Sequence, residues 1–356
     1  MVFKILSINP GSTSTKVALY EDEREVFCTN IEHSTEELKG YGKVTEQLDF
    51  RLEAVRKELE RQNTYLSELS AAVGRGGMFP PIYAGGYLVN ENMKRMIYSD
   101  KVVDHASNLG ALIAVAIAEP LGIPAYIYDA VSADEFSDLA RVTGFPEYYR
   151  RNFCHVLNSK AMGRKYAKER GGDYKDYNLT VAHLGGGISI SAHQKGRIID
   201  SISDDGGPFS PERSGSVPLN FIVELCYSGK YIKEEVLRKI RGGGGLKAHL
   251  GTADCREIEK WIAAGDEHAR LVYEAMGYQI AKGIGNICTV FEGPVDAIIL
   301  TGGVAFSKMV TDMVIKRVSF IAPVVVYPGE NEMEALTLGA LRILRGEETA
   351  REYTED

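Results

Sequence analysis

Cysteine is scarce and shows no pairing pattern. Its five copies, Cys28, Cys154, Cys226, Cys255 and Cys288, are scattered, odd in number and free of any Cys-x-x-Cys pair. That argues against a disulfide framework or a thiolate zinc site and suits reduced thiols in a cytoplasmic chain. No apolar stretch reaches the roughly 20 residues that a membrane span needs. The longest, residues 109–121, is broken by Glu119 and Pro120 and reads as a buried helix. No basic segment leads into an apolar core near the start, so export is not expected. Positive charge is in deficit: 41 Lys and Arg stand against 49 Asp and Glu, a net charge of -8. An acidic chain without a basic run is a poor nucleic-acid binder. At 356 residues the apolar content suffices for two hydrophobic cores.

The first twenty residues are the most informative. A β-rich apolar run, residues 3–8, enters the loop Asn9-Pro10-Gly11-Ser12-Thr13-Ser14-Thr15-Lys16, and a second apolar run leaves it. Such a loop can aim backbone N–H groups, the Ser12 and Ser14 hydroxyls and the Lys16 ammonium at a phosphate. It lacks the second glycine and the Gly-Lys-Ser/Thr ending of a P-loop, and a strand rather than a helix follows it. The alternative is a polar hairpin turn without a ligand. A similar unit recurs in the second half of the chain. Residues 179–184 read as a buried strand, Gly185-Gly186-Gly187 as a loop open to close approach, and residues 188–192 and 197–202 as two further strands. The first copy has the same order, with a turn at residues 22–24 and a third strand over 25–31. A third glycine signal, Gly302-Gly303, ends another apolar run ahead of a helix. Two such units, each opening half of the chain, predict duplicated α/β domains facing each other across a nucleotide cleft.

Between these units the pattern is coarser. Leu48, Leu52, Val55 and Leu59 recur at helical spacing, so residues 46–65 read as an amphipathic helix with a charged, solvated face. Residues 70–90 are rich in Gly and Pro and carry a lone Arg75. Helices are expected over 108–121, 158–170, 266–291 and 332–345, and a short strand over 125–128 ends at Asp129. Residues 204–218 form a loop containing Arg213, and the four glycines 242–245 read as a mobile loop. The expected domains are 1–152, completed by a C-terminal helix in 330–356, and a nucleotide-binding domain over 153–329.

These runs resemble the acetokinase family, within the acetate and sugar kinase/actin/heat-shock ATPase superfamily, over almost the whole chain. Asn9 to Lys16 is similar to that family's opening signature, and His183-Leu184-Gly185-Gly186-Gly187-Ile188-Ser189-Ile190 to its second. Glu212-Arg213-Ser214-Gly215 and Gly329-Glu330-Asn331-Glu332 resemble two further elements. Pro10 and the run from Gly74 to Pro81 resemble the butyrate branch, whereas acetate kinases carry a His-Arg-Val-Val-His-Gly-Gly type run there. The resemblance implies an α/β fold of two duplicated ribonuclease H-like, actin-like ATPase domains with a nucleotide cleft between them. It also implies reversible phosphoryl transfer between ATP and a short-chain carboxylate, giving ADP and an acyl phosphate, with Mg²⁺ and a homo-oligomeric assembly.

A carboxylic acid is already ionised at pH 7, so this nucleophile needs no base. The protein must instead bring two anions together with positive charge, donors and alignment. The resemblance assigns that work residue by residue. Arg75 and Arg213 would bind the carboxylate and the transferring phosphoryl group; without it, Arg75 reads as a surface arginine in a glycine-rich turn. His183 would donate to the phosphoryl group, against a core histidine as the other reading, and His105 would be a second donor, against a helix-start cluster. Asp129 would orient an arginine or the metal, unless it is a turn residue. Asn9, Ser12, Ser14 and Lys16 match the first phosphate loop, and Gly185, Gly186 and Gly187 the second. Asp254 and Arg256 match an element near the ribose and phosphates. Gly302 and Gly303 match the adenosine site, with close strand–helix packing as the alternative. Glu332, with Asn9, matches the Mg²⁺ position, and Glu334 competes with Glu332 for it. Gly76 and Gly77 stand where acetate kinases carry aliphatic side chains, which predicts room for a longer acyl chain. His33, His155, His193, His249 and His268 read as structural. Acetate or propionate kinase remains an alternative, as does a chaperone-like or regulatory ATPase; the arginine pair argues against the latter.

Overall fold

The computed structural model describes residues 2–354. In chain order the strands are β1 (Lys4–Pro10), β2 (Ser14–Glu21), β3 (Arg24–Glu32), β4 (Ala71–Arg75), β5 (Gly86–Leu88) and β6 (Ala125–Tyr128). They continue with β7 (Asn178–Leu184), β8 (Ile188–Gln194), β9 (Arg197–Ile202), β10 (Ala297–Gly302), β11 (Val324–Pro328) and β12 (Arg351–Glu352). Two compact units result: residues up to Asp134 together with those from Asn331, and Glu135–Glu330.

The first unit holds a seven-stranded sheet in the order β12-β5-β6-β4-β1-β2-β3. β1 pairs antiparallel with β2, and β2 with β3, while β1–β4 and β4–β6 are parallel. Side chains alternate across β1, so its two faces meet different partners. Leu6 and Ile8 join a core with Leu109, Leu112 and Ile113 of the helix Asn108–Ala118. Ser7, on the opposite face, hydrogen-bonds Thr337 of the helix Glu332–Leu344 at 2.7 Å. That parity also turns Asn9 toward the second helix.

The second unit repeats the plan. Its sheet runs β11-β10-β7-β8-β9, with antiparallel β7–β8 and β8–β9 and parallel β7–β10 and β10–β11. Strand for strand, β9-β8-β7-β10-β11 reproduces β3-β2-β1-β4-β6. Ala182 and Leu184 face Ile280 and Ile284 of the helix Glu267–Cys288. Leu179 and Val181 face Met162 and Tyr166 of the helix Val156–Glu169, which sets His183 on that same side.

Two sequence expectations differ from these elements. The boundary expected at residue 152 lies after Asp134 in the compact units. Residues 135–152 are tied into the second unit by their own bonds. Glu135 pairs with Lys160 at 2.7 Å and accepts from Ile198 N, and Ser137 N donates to Ile199 O. The charged face of the helix at 46–65 is not wholly solvated either. The α-helix is Leu48–Arg61, and Arg51 within it is fully buried.

Candidate active site

In the first unit, three strand and helix ends bring together an amide, a guanidinium and a carboxylate. Asn9 nears the end of β1, Arg75 ends β4 beside it, and Glu332 opens the helix Glu332–Leu344. Asn9 Nδ2 donates to Glu332 Oε2 at 2.6 Å, and Arg75 Nη1 lies 2.8 Å from Glu332 Oε1. Glu334 is exposed one half-turn on and takes no part. His105 Nδ1 accepts from Ser107 N at 3.2 Å, which places the neutral ring's proton on Nε2. Partial desolvation of the ring, then the Arg75 guanidinium, holds this imidazole below its ordinary value, so its neutral form prevails at pH 7.

The β1–β2 loop is built around Arg51, a residue that sequence reasoning missed. Its guanidinium donates to Gly11 O at 2.8 Å, Ser12 O at 2.9 Å, Ser14 O at 2.7 Å and Thr15 Oγ1 at 3.1 Å. Three carbonyls turned inward toward one cation fix the loop's path. His33, also read only as structural, hydrogen-bonds Thr15 Oγ1 at 2.8 Å. Ser12 stays exposed, Ser14 is half-buried, and Lys16 pairs in register with Asn9. Because directly paired antiparallel residues share a face, Lys16 and Asn9 point the same way.

Asp129 follows β6 with φ 41° and accepts from Gly85 N at 2.8 Å, so it is engaged with the backbone of the neighbouring turn. Gly76 and Gly77 need correcting. A Cβ on Gly76 would lie 2.5 Å from Ala130 Cα, and one on Gly77 would collide with the Asn108 amide and sit 3.0 Å from Asn108 Cα. These glycines permit close backbone packing, and the positions their side chains would take are filled by Ala130 and Asn108.

In the second unit, His183 comes one residue before the end of β7. Asn158 Nδ2 donates to its Nδ1 at 2.9 Å and to Thr301 Oγ1 at 3.2 Å. The acceptor role leaves the proton on Nε2, which is buried, without a hydrogen bond among the described residues, and 3.3 Å from Glu330 Oε1. His155 stacks on the same ring at 3.8 Å between centroids. Asn158 and His155 carry no local sequence signal; only the helix packing on β7 brings them there.

The glycine loop 185–187 is held from the Arg213 segment. Gly186 O accepts from Ser210 Oγ at 2.6 Å and from Glu212 N at 3.1 Å. Arg213 Nε donates to Asp204 Oδ2 at 3.1 Å. The glycines 242–245, expected to be a mobile loop, are packed instead. Gly242 N bonds Glu212 O at 2.8 Å, and Leu246 N bonds Ser210 O at 3.0 Å. A Cβ on Gly244 would sit 2.5 Å from Ser214 N, so only glycine allows this contact.

Asp254 and Arg256 bond each other at 2.7 Å on the surface, and Asp254 caps the helix Cys255–Ala263. The Arg256 bonds hold its carboxyl down at about 2. Gly302 and Gly303 divide the two readings given to them. Gly302 has φ 89° and a Cβ there would lie 2.7 Å from the Leu184 carbonyl carbon, so it serves packing. Gly303 is exposed, with open space where a Cβ would be.

The acetokinase family model matches residues 148–333. Butyrate kinase 2 of Clostridium acetobutylicum is 48% identical over 355 residues, covering 99% of this chain and all of that protein. Butyrate kinase 1 of the same organism is 47% identical over 354 residues, with the same coverage. The chain belongs to the acetokinase family. Membership makes it a carboxylate kinase that uses ATP and ADP. The crystal structure of Porphyromonas gingivalis acetate kinase superposes with a TM-score of 0.79 at 18% identity, covering 96% of this chain and all of that one. This likeness shows the fold, duplicated actin-like ATPase domains of mixed α/β type.

A kinase that uses ATP must neutralise the nucleotide phosphates. Among the described residues no cluster of three or more acidic, histidine or cysteine side chains occurs. Mg²⁺ keeps several waters and needs only one or two carboxylates beside phosphate oxygens. Glu332 offers one such carboxylate, its Oε2 accepting from Asn9 Nδ2 and its Oε1 beside Arg75 Nη1.

Proposed function

We propose that this kinase phosphorylates butyrate, reversibly and by direct transfer from ATP. The observation that carries the substrate is the likeness, along the whole chain, to proteins named butyrate kinase. In the first unit Arg75 binds the carboxylate and, as phosphoryl transfer proceeds, the equatorial oxygens of the moving group. The neutral His105 donates from Nε2, and the loop held by Arg51 presents Ser12, Ser14 and Lys16 to phosphate oxygens. Glu332 and Asn9 would hold Mg²⁺, which supplies charge neutralisation of the nucleotide phosphates. Asp129 keeps the turn beside the strand ends in place.

In the second unit His183, its tautomer set by Asn158, donates from Nε2 to the phosphoryl oxygens, and Arg213 neutralises the charge that develops there. Gly185, Gly186 and Gly187 admit phosphate, Asp254 and Arg256 lie toward the ribose, and Gly303 lies toward adenosine. The enzyme works in the cytoplasm, consistent with five free cysteines. It assembles from at least two copies, supported by the helix Leu219–Tyr227, whose Leu219, Phe221, Val223 and Tyr227 remain exposed.

Trapping acyl phosphate as the hydroxamate, across straight-chain acids from acetate to hexanoate, tests the substrate. Butyrate should give the highest kcat/KM, and an optimum at acetate would replace it with acetate kinase activity. Rapid quench with labelled ATP and no acid should leave the protein unlabelled; a competent phosphoenzyme would refute direct transfer.

A further inference from the structure

Arg213 is not a free side chain waiting for an anion. Its Nε is bound to Asp204 Oδ2 at 3.1 Å and its Nη1 lies 3.5 Å from Glu212 O and 3.9 Å from Glu212 Oε2, while Nη2 has no hydrogen-bond partner among the described residues. The other Asp204 oxygen accepts from Arg241 Nη2 at 3.1 Å. Arg213 and Arg241 face each other across an antiparallel backbone bridge, so one carboxylate sits between two guanidiniums. Asp204 is buried, and a Cβ on Gly187 would lie 2.8 Å from its Oδ2, which places this carboxylate against the glycine loop. Arg241 is held in turn by Asp205 at 2.8 Å and lies 4.8 Å over the Phe153 ring.

We propose that Asp204 and Arg241 are positioning residues for Arg213. A carboxylate beside a phosphate site is unfavourable unless it does something the site needs and its charge is offset. Here it fixes Nε, which holds the guanidinium in one orientation and leaves Nη2 for an incoming anion, with Nη1 beside Glu212. Arg241 offsets the Asp204 charge and prevents the carboxylate from swinging toward the phosphate. Lysine at 213 could not reproduce this, having no second nitrogen to anchor. The inference rests on Arg213 acting in phosphoryl transfer, as proposed above.

A double-mutant cycle tests it. Asp204→Asn is close to isosteric and keeps one acceptor, so it is the variant to rely on if Asp204→Ala fails to fold. Asp204→Asn should lower kcat by about tenfold to a hundredfold, while KM for ATP and for butyrate stays within about threefold. Combined with Arg213→Ala it should add less than about twofold to the loss from Arg213→Ala alone, because it acts through that side chain. Arg241→Lys should give a smaller loss that also vanishes in the Arg213→Ala background. If the losses multiply, or if Asp204→Asn turns over at the wild-type rate, the positioning role is refuted and the phosphoryl role of Arg213 stands. Should Arg213→Ala itself keep near-normal turnover, both readings fail together.

Discussion

Replacing Gly77 separates a packing role from a substrate role. The sequence reading made Gly77 a gap left for the acyl chain, so Gly77→Val should have shifted preference toward shorter acids. The structure aims its missing side chain at Asn108. Asn108 is buried, accepts from Met78 N at 2.8 Å and donates to Val103 O at 2.8 Å. A Cβ at position 77 must push that amide aside. The overpacking costs about 1–3 kcal/mol, and the Met78 N–H left without its acceptor costs about 1–3 kcal/mol more. Together about 2–6 kcal/mol is lost, a large share of the roughly 5–15 kcal/mol that stabilises a domain. At about 2–4 °C per kcal/mol for a unit of this size, Tm should fall by roughly 4–24 °C. Gly77→Ala should show much of the effect, since the Cβ alone makes the collision. Circular dichroism melting gives Tm, and the hydroxamate assay gives kcat/KM for acetate, propionate and butyrate. The ratio of these constants should stay within about twofold of wild type, because a packing defect scales all acids alike. A Gly77→Ala variant with wild-type Tm, or one whose preference moves tenfold toward acetate, would falsify the packing argument.

Other outcomes follow from the same geometry. Arg75→Ala and Arg213→Ala should each lower kcat by about 10²–10⁴-fold, with only partial recovery in the lysine variants; near-normal turnover in a folded variant would make that arginine structural. Arg51→Lys cannot donate to all five Arg51 acceptors, Gln47 Oε1 included, and hydrogen bonds to charged groups contribute about 1.5–3 kcal/mol each. It should therefore raise KM for ATP about tenfold and lower Tm, and an unchanged KM would disconnect this loop from the nucleotide. Gly303→Ala, placed in open space, should leave Tm unchanged while weakening ATP binding measured by calorimetry; unaltered affinity would remove Gly303 from the adenosine site. His105 protonates in the folded chain only below the ordinary histidine value of 6.5, whereas the unfolded chain takes up its proton near 6.5. Stability should thus fall as pH drops from about 6.5, and His105→Gln should reduce the Tm difference between pH 7 and pH 5.5. An unaltered difference would assign that slope to His33 and His193, whose burial also holds them below the ordinary value.

The duplicated β-loop-β-turn-β order was legible in the sequence because strand alternation and glycine turns are local signals. The strands around Ser12 and around Gly186 fall where the apolar runs end, and the separate short strand before Asp129 does too. The family was legible because its signatures are contiguous. What lay outside the sequence's reach was every role that depends on which side chain another element delivers. Arg51 looks like one more charge on an amphipathic helix until three carbonyls of a distant loop turn toward it. Asn158 sits on a helix and His155 just ahead of it, and packing on β7 carries them to His183. Gly76 and Gly77 have no side chain in the sequence, so whether the space beside them is empty or filled depends on Ala130 and Asn108, which arrive from residues far along the chain. The four glycines 242–245 likewise spell flexibility by composition, yet the Arg213 segment packs against them. Local periodicity determines elements and their order; long-range packing alone decides which glycine opens a site, which closes one, and which charge is buried to hold a loop.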